Sequence, residues 1–168
     1  MVESTKTALS STSEIVITRF FDAPRELVWK AWTEPARLMQ WWGPKGYTSP
    51  ECKVDLRVGG KYLFCMRSTE GRDIWGTGTY LEIVPNEKLV MTDSFADAEG
   101  NIVPAAHYGF EEEFPLEMRV TVTLEDAGEK TRLVVRHEGL PAGEQSEGAT
   151  AGWNESLDKM AEALKTAA

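Results

Sequence analysis

Cysteine and histidine are scarce in this chain, which has two of each among 168 residues. Cys52 and Cys65 are too few for a disulfide framework and form no Cys-x-x-Cys pair, so we expect buried free thiols. His107 and His137 stand 30 positions apart and, with the cysteines, give no recognised spacing of metal ligands. The sequence therefore predicts neither a metal site nor a cofactor.

Basic residues are also in deficit, with 18 Lys and Arg against 27 Asp and Glu, for a formal charge of −9. Such a surface repels nucleic acids and anionic membranes, so neither is an expected partner. The sequence has no apolar run of signal-peptide or membrane-spanning length. We expect a cytoplasmic protein whose polar residues 1–13 form a flexible N-terminal arm.

The recognised catalytic motifs are absent. There is no Gly-x-Ser-x-Gly segment, no phosphate-binding loop and no His-Glu-x-x-His segment. Gly76 and Gly78 lie within a strand pattern, where they indicate a bulge, a bend or the close approach of another backbone. The sequence thus favours a protein that is not an enzyme.

Hydrophobic periodicity predicts a strand from residue 14, two short helices over 24–34 and 35–42, and then mostly strands. The expected later strands span 49–58, 61–68, 74–84, 89–95, 116–125 and 131–137. Residues 96–115 fit neither period and are expected to form a long irregular loop.

The C-terminal segment predicts a long amphipathic helix. Its apolar residues recur at three- and four-residue steps, at Ala149, Trp153, Leu157, Met160 and Leu164. An antiparallel sheet and one such helix hide their apolar faces when the sheet wraps the helix. We therefore predict a single α+β domain over residues 14–168, with about six to seven strands.

Five segments in this order carry a resemblance to a known family: "FDAPRELVWKAWTEP", "WWGP", "VDLRVGGKYLFCMR", "GTGTYLEIVPNEKLVMTDSF" and "GWNESLDKMAEAL". The series resembles the START-like (SRPBCC) superfamily with its helix-grip fold. Within it, the chain is similar to the branch named for homology to the ATPase activator of the 90-kDa heat-shock chaperone. The resemblance covers roughly residues 14–165.

This resemblance implies a deep, largely apolar cavity between the sheet and the C-terminal helix. Relatives use such cavities to bind lipids, sterols or polyketides, and some relatives are cyclases. The sequence contains neither the additional N-terminal domain nor the Trp-His-Trp motif of the true chaperone activator. The family label therefore does not imply a chaperone function for this chain.

Aromatic and methionine side chains occupy positions that can face the concave side of such a sheet: Tyr62, Phe64, Met66, Trp75, Met91, Phe95, Met118 and Trp153. With Leu157 on the helix, we predict that most of this set forms the walls of a ligand site. His107 and Tyr108, in the irregular loop, are candidates to close over a ligand. The alternative is that these side chains fill the interior and leave no cavity.

Trp41 and Trp42 end the second short helix, just before Gly43-Pro44. Consecutive helical residues project about 100° apart, so the two indoles cannot face the same side. In the helix-grip fold this helix lies across one opening of the cavity. We predict that one tryptophan enters the core and the other, Trp42, borders the entrance; the alternative is that both only pack.

His137 and Glu82 are the titratable residues of greatest interest. Strand alternation places His137 on the same face as Leu133 and Val135, where it would anchor a ligand or act as a general base. Its alternative role is that of a core histidine satisfied by the backbone. Glu82 is predicted to be partly buried and paired with an arginine, as a structural ion pair rather than a catalytic acid.

Three functions remain open from the sequence. The first is binding of a small hydrophobic or aromatic molecule for carriage, sequestration or sensing. The second is an enzyme of cyclase, aromatase or hydrolase type that uses the same cavity. The third is an interaction module for a chaperone in a stress response, or for a second copy of the chain through an edge strand.

Overall fold

A seven-stranded antiparallel sheet curves around one long helix in the computed structural model, which describes residues 12–110, 115–141 and 144–166. The strands are β1 (Thr12–Phe21), β2 (Cys52–Val54), β3 (Lys61–Arg67), β4 (Asp73–Val84), β5 (Lys88–Ala96), β6 (Met118–Ala127) and β7 (Lys130–Pro141). The helices are α1 (Arg25–Thr33), α2 (Pro35–Trp41), a 3-10 helix (Ala105–Tyr108) and α3 (Glu144–Thr166).

The first and last strands of the chain are neighbours in the sheet. The strand order is β1-β7-β6-β5-β4-β3-β2, and every neighbouring pair is antiparallel. Helices α1 and α2 connect β1, at one edge, to β2, at the opposite edge. This arrangement is the predicted α+β helix-grip fold, which is confirmed.

The core lies between the concave face of the sheet and α3. Period-two alternation buries Val120 and Val122 on β6, and Leu133 and Val135 on β7. They form one hydrophobic cluster with the apolar stripe of α3, whose fully buried members include Leu157 and Met160. The inward faces of the strands and the apolar face of α3 therefore form a single core.

Helices α1 and α2 are short because proline and glycine delimit them. Pro35 occupies the first turn of α2, where a missing backbone N–H leaves no hydrogen bond unmade. Gly43 follows α2 with φ +102°, a left-handed conformation that favours glycine. Within the part of the chain that the structure describes, no helix combines the length and apolar character needed to cross a membrane.

The strand predicted over residues 49–58 is shorter than expected. Of these residues only Cys52–Val54 form a strand with β3, and the chain then turns between Asp55 and Gly60. Gly60 lies so close to the chain that an added Cβ would stand 2.1 Å from the Asp55 carbonyl oxygen. The tight turn leaves Leu56 and Val58 exposed, which explains why their alternating pattern does not mark a strand.

The prediction for Glu82 is wrong. Glu82 is exposed, and its carboxylate lies 3.3 Å from the Lys88 Nζ rather than near an arginine. The register of β4 against β5 shifts between Tyr80 and Glu82. Because such a bulge breaks the alternation, Tyr80 points inward and Glu82 does not.

The thiols and the irregular segments largely follow the expectations. Cys65 is buried, Cys52 is half-buried, and both are free; burial raises the pKa of each to about 11. Strand β1 begins at Thr12, two residues earlier than expected, and most of the predicted 1–13 arm lies outside the described residues. Between 96 and 110 the only helical piece that the structure describes is the 3-10 helix.

Gly76 and Gly78 mark a close approach rather than a bulge. A Cβ added at Gly76 would stand 2.5 Å from the Phe64 ring, and one at Gly78 would stand 1.9 Å from the Thr92 carbonyl oxygen. The missing side chain at Gly76 therefore lets the Phe64 ring lie directly over β4. This position of Phe64 shapes the cavity described next.

Candidate functional site

A cavity of about 390 Å3 lies between the concave face of the sheet and the N-terminal half of α3. Strands β3, β4 and β5 form one wall, and α3 forms another through Ala149, Gly152, Trp153 and Ser156. These helical positions are three or four residues apart, so they share one face. The turn from Trp42 to Tyr47 borders the same space. Most of the lining is apolar.

Seven of the twelve predicted site residues line this cavity. They are Trp42, Phe64, Met66, Trp75, Met118, His137 and Trp153. Phe95, noted for its inward strand position, lines it as well. The structure thus brings residues from five strands and one helix, and from the turn after α2, to one space.

Tyr62, Met91 and Leu157 lie in the core instead. Tyr62 and Met91 border a separate gap of about 20 Å3 beneath α1 and α2. The Tyr62 hydroxyl donates a hydrogen bond to the Thr92 carbonyl oxygen at 2.6 Å, which fixes its ring in the interior. Leu157 is fully buried. Strand alternation correctly placed Tyr62 and Met91 on the concave face of the sheet. It does not specify where along their strands the cavity begins.

His107 and Tyr108 do not line the cavity either. The Tyr108 hydroxyl accepts a hydrogen bond from the Trp75 backbone N–H at 3.1 Å and donates one to the Ala96 carbonyl oxygen. Arg72 donates a hydrogen bond to the Tyr108 carbonyl oxygen. These contacts hold the 3-10 helix against β4 and β5, and His107 is exposed beside it. The 3-10 helix is therefore anchored to the sheet.

The two adjacent tryptophans lie in different environments, as the 100° step between consecutive helical residues predicts. Trp41 is fully buried, and its indole N–H donates to the Ala31 carbonyl oxygen at 2.9 Å. Trp42 is partly buried and lines the cavity. Together with Trp32 and Trp153 they form a tryptophan cluster, in which the contacting ring centroids are 4.8–6.1 Å apart.

Lys159 holds the turn that carries Trp42. Its Nζ donates to the carbonyl oxygens of Gly43 at 2.9 Å and Tyr47 at 3.0 Å, with Pro44 at 3.4 Å. Burial lowers the pKa of this ammonium, and the Glu155 carboxylate opposes that shift. The Gly43-Pro44 turn is therefore tied to α3, so that Trp42 stays against Phe64, with 4.7 Å between ring centroids.

A polar group lies within this apolar lining. The Trp153 indole N–H donates to Nδ1 of His137 at 3.0 Å, and Nε2 of His137 lies 3.4 Å from an Asp93 carboxylate oxygen. An indole N–H can only donate, so Nδ1 must carry a lone pair and the imidazole is neutral, with its proton on Nε2. The Nε2 contact does not reach hydrogen-bond geometry, so this buried nitrogen has a charged neighbour but no hydrogen-bond partner among the described residues.

The electrostatics agree with a neutral imidazole. Burial lowers the pKa of His137, and the nearby Asp93 charge opposes the shift. Burial raises the pKa of Asp93, and His137 opposes that shift in turn. Because Nδ1 is occupied by Trp153, His137 has no free lone pair with which to accept a proton. The arrangement suits a fixed polar anchor better than a general base.

Asp93 is the site residue that sequence reasoning missed. It stands between Met91 and Phe95 in "LVMTDSF", at every second position of a strand. A lone carboxylate on the inward face of an otherwise apolar strand is a signal that could have identified it. Among the described residues, no group of three or more His, Cys, Asp or Glu side chains could hold a metal ion.

The buried neutral histidine predicts a pH-dependent stability. The folded protein binds fewer protons at His137 than the unfolded chain does, so lowering the pH below about 6.5 destabilises it. Asp93 acts oppositely, because its pKa is higher in the folded protein than in the unfolded chain. The folded protein therefore gains stability as the pH falls from the raised pKa of Asp93 towards the ordinary value of about 3.9. We expect His137→Gln to remove up to about 1.4 kcal/mol of the stability difference between pH 7.5 and 5.5.

Urea unfolding at the two pH values measures this difference. His107→Gln removes the exposed histidine and serves as the matched control, which should keep the pH dependence of the parent protein. Equal pH dependence in the parent and in His137→Gln would show that His137 is not buried in its neutral form.

The comparisons with known proteins agree with the fold and the motifs. A family model described as Activator of Hsp90 ATPase homolog 1-like protein matches residues 22–165. A crystal structure from Chromobacterium violaceum is 31% identical, covers 92% of this chain and 98% of that chain, and has a TM-score of 0.74. A search of curated proteins gives no significant match.

Two further structures show the same relationship. A protein from Nitrosomonas europaea is 25% identical over 90% of this chain and 94% of that chain, with a TM-score of 0.73. The AHSA1 protein from Silicibacter pomeroyi is 25% identical, covers 91% of this chain and 98% of that chain, and also has a TM-score of 0.73. The chain belongs to the Activator of Hsp90 ATPase homolog 1-like family, within the START-like superfamily.

Proposed function

We propose that this protein binds a small, largely apolar molecule in the cavity between the sheet and α3, as a carrier, a sequestering protein or a sensor. The observation that carries the proposal is a space of about 390 Å3 whose largely apolar lining includes aromatic and methionine side chains. Pockets that hold small ligands commonly measure about 300–1,000 Å3 and combine apolar walls with a few polar groups.

The energetics of such a site support binding of an apolar guest. Removing apolar surface from water contributes roughly 25 cal/mol per Å2, and the flat faces of Trp42 and Trp153 suit a planar guest. Met66 and Met118 are flexible, which allows guests of different shape. Asp93 and His137 are the polar groups that would orient the guest.

Titration with a neutral aromatic probe, N-phenyl-1-naphthylamine, tests the proposal. Because Trp42 and Trp153 line the cavity, we expect saturable quenching of tryptophan fluorescence and a higher melting temperature in the presence of the probe. Native mass spectrometry of the purified protein should also reveal a co-purifying small molecule. A flat response to this probe, to neutral aliphatic probes and to cationic aromatic probes would contradict a binding function.

The other functions have weaker support. A cyclase, aromatase or hydrolase would need a proton-transfer group; both nitrogens of His137 face other residues, which leaves the Asp93 carboxylate as the candidate among the described residues that line the cavity. Edge strand β1 exposes Val16 and Phe20, which would suit a second copy or a chaperone partner, and size-exclusion chromatography would test this. The two free thiols support a cytoplasmic location.

A further inference from the structure

The one charged side chain among the described residues that line the cavity is acidic. Asp93 is the only acidic side chain among the described residues that line it, and no Lys or Arg lines it. The Asp93 side chain keeps 23% of its surface accessible, so its carboxylate is not sealed inside the core. A guest in the cavity therefore meets one carboxylate and no opposing cation.

Nearby side chains do not neutralise Asp93. His137 is the one basic group found within 4.0 Å of its carboxylate in the described part of the chain, at 3.4 Å. The hydrogen bond from Trp153 to Nδ1 keeps that imidazole neutral, for the reason given above. Lys159, on the same helix as Trp153, directs its ammonium to the carbonyl oxygens of the Gly43-Pro44 turn.

A cationic guest would supply the missing charge. A partly buried carboxylate without a partner is unfavourable by several kcal/mol, and an ammonium group relieves this with a charge-assisted hydrogen bond. The aromatic lining has the same preference, because the face of an aromatic ring attracts cations. A carboxylate guest would instead place two like charges in an apolar space.

We propose that the cavity selects aromatic amines, with the ammonium group of the guest on Asp93 and its ring against the aromatic wall that includes Trp42 and Trp153. This assignment rests on the proposed binding function and names its ligand class. The guest is recognised by the combination of one carboxylate and an apolar, aromatic chamber.

Three probes of matched shape test the assignment: 2-naphthylmethylamine, 2-naphthylmethanol and 2-naphthoate, measured by isothermal titration calorimetry at pH 7.5. We expect the amine to bind at least tenfold more tightly than the alcohol, and the carboxylate to bind most weakly. Asp93→Asn keeps the shape of the side chain and should bring the amine to within about threefold of the alcohol, while affinity for the alcohol changes little. Asp126→Asn removes the same charge at an exposed position and should keep the preference.

The outcomes separate the two proposals. Binding of the alcohol without preference for the amine in the parent protein overturns the amine assignment and leaves the binding function intact. Binding of none of the three probes, together with no response to N-phenyl-1-naphthylamine, overturns both. The comparison of amine with alcohol in the parent protein does not depend on any variant, so a folding defect in Asp93→Asn would not remove the test.

Discussion

Trp41→Ala is expected to lower the free energy of unfolding by about 3–5 kcal/mol, the usual range for truncating a large buried aromatic side chain. Trp41 is fully buried, its ring centroid lies 4.8 Å from that of Trp32, and its N–H satisfies the Ala31 carbonyl oxygen. Truncation would leave a void and remove the partner of that buried carbonyl. Urea unfolding followed by circular dichroism measures the loss.

Trp42→Ala is the matched control, since it makes the same truncation one residue away. Trp42 is only partly buried and borders the cavity, so we expect less than half the loss of stability but a clear loss of affinity for the neutral probe. If both variants lose the same stability, the division between a core tryptophan and a cavity tryptophan is incorrect.

Gly152→Phe is expected to reduce affinity for the neutral probe at least tenfold without destabilising the fold. Gly152 lines the cavity, and a Cβ built on it meets no heavy atom within 4 Å. A phenyl ring at this position would enter the space that the guest needs. Replacing glycine inside a helix by alanine removes a penalty of roughly 0.5–1 kcal/mol, and phenylalanine, which has a lower helix propensity than alanine, removes part of it, so the folded state should not suffer.

Gly152→Ala is the control for this substitution. It makes the same backbone change with a single methyl group, so it should keep both the stability gain and most of the affinity. Melting temperature and probe titration are measured on both variants. Unchanged binding by Gly152→Phe would mean that the probe binds elsewhere, and would remove the cavity from the proposed function.

The sequence predicted the fold well because its periods are local properties. The stripe that runs from Ala149 to Leu164 and the alternation of Leu133, Val135 and His137 each identify a buried face without knowledge of its neighbours. The 100° step between helical residues separated Trp41 from Trp42 for the same reason. These predictions needed only the geometry of one element.

The residues that sequence reasoning misplaced or missed needed the geometry of several elements. Glu82 moved outward because a bulge in β4 breaks the alternation there. Asp93 approaches His137 across an intervening strand, with Val120 of β6 opposite both Met91 and His137. That approach depends on the register of β5 against β6 and on that of β6 against β7. Neither register can be read from the sequence of a single strand. Tyr62 and Met91 have the predicted face, but α1 and α2 close over them.

The tryptophan cluster gives the protein an optical signature of its own. With contacting centroids no more than 6.1 Å apart, we expect the electronic transitions of these four indoles to couple to one another. Two of the four chromophores border the cavity and two lie below them. A molecule that displaces Trp42 or Trp153 would therefore reshape the near-ultraviolet band of the whole set, and occupancy could be followed without any label.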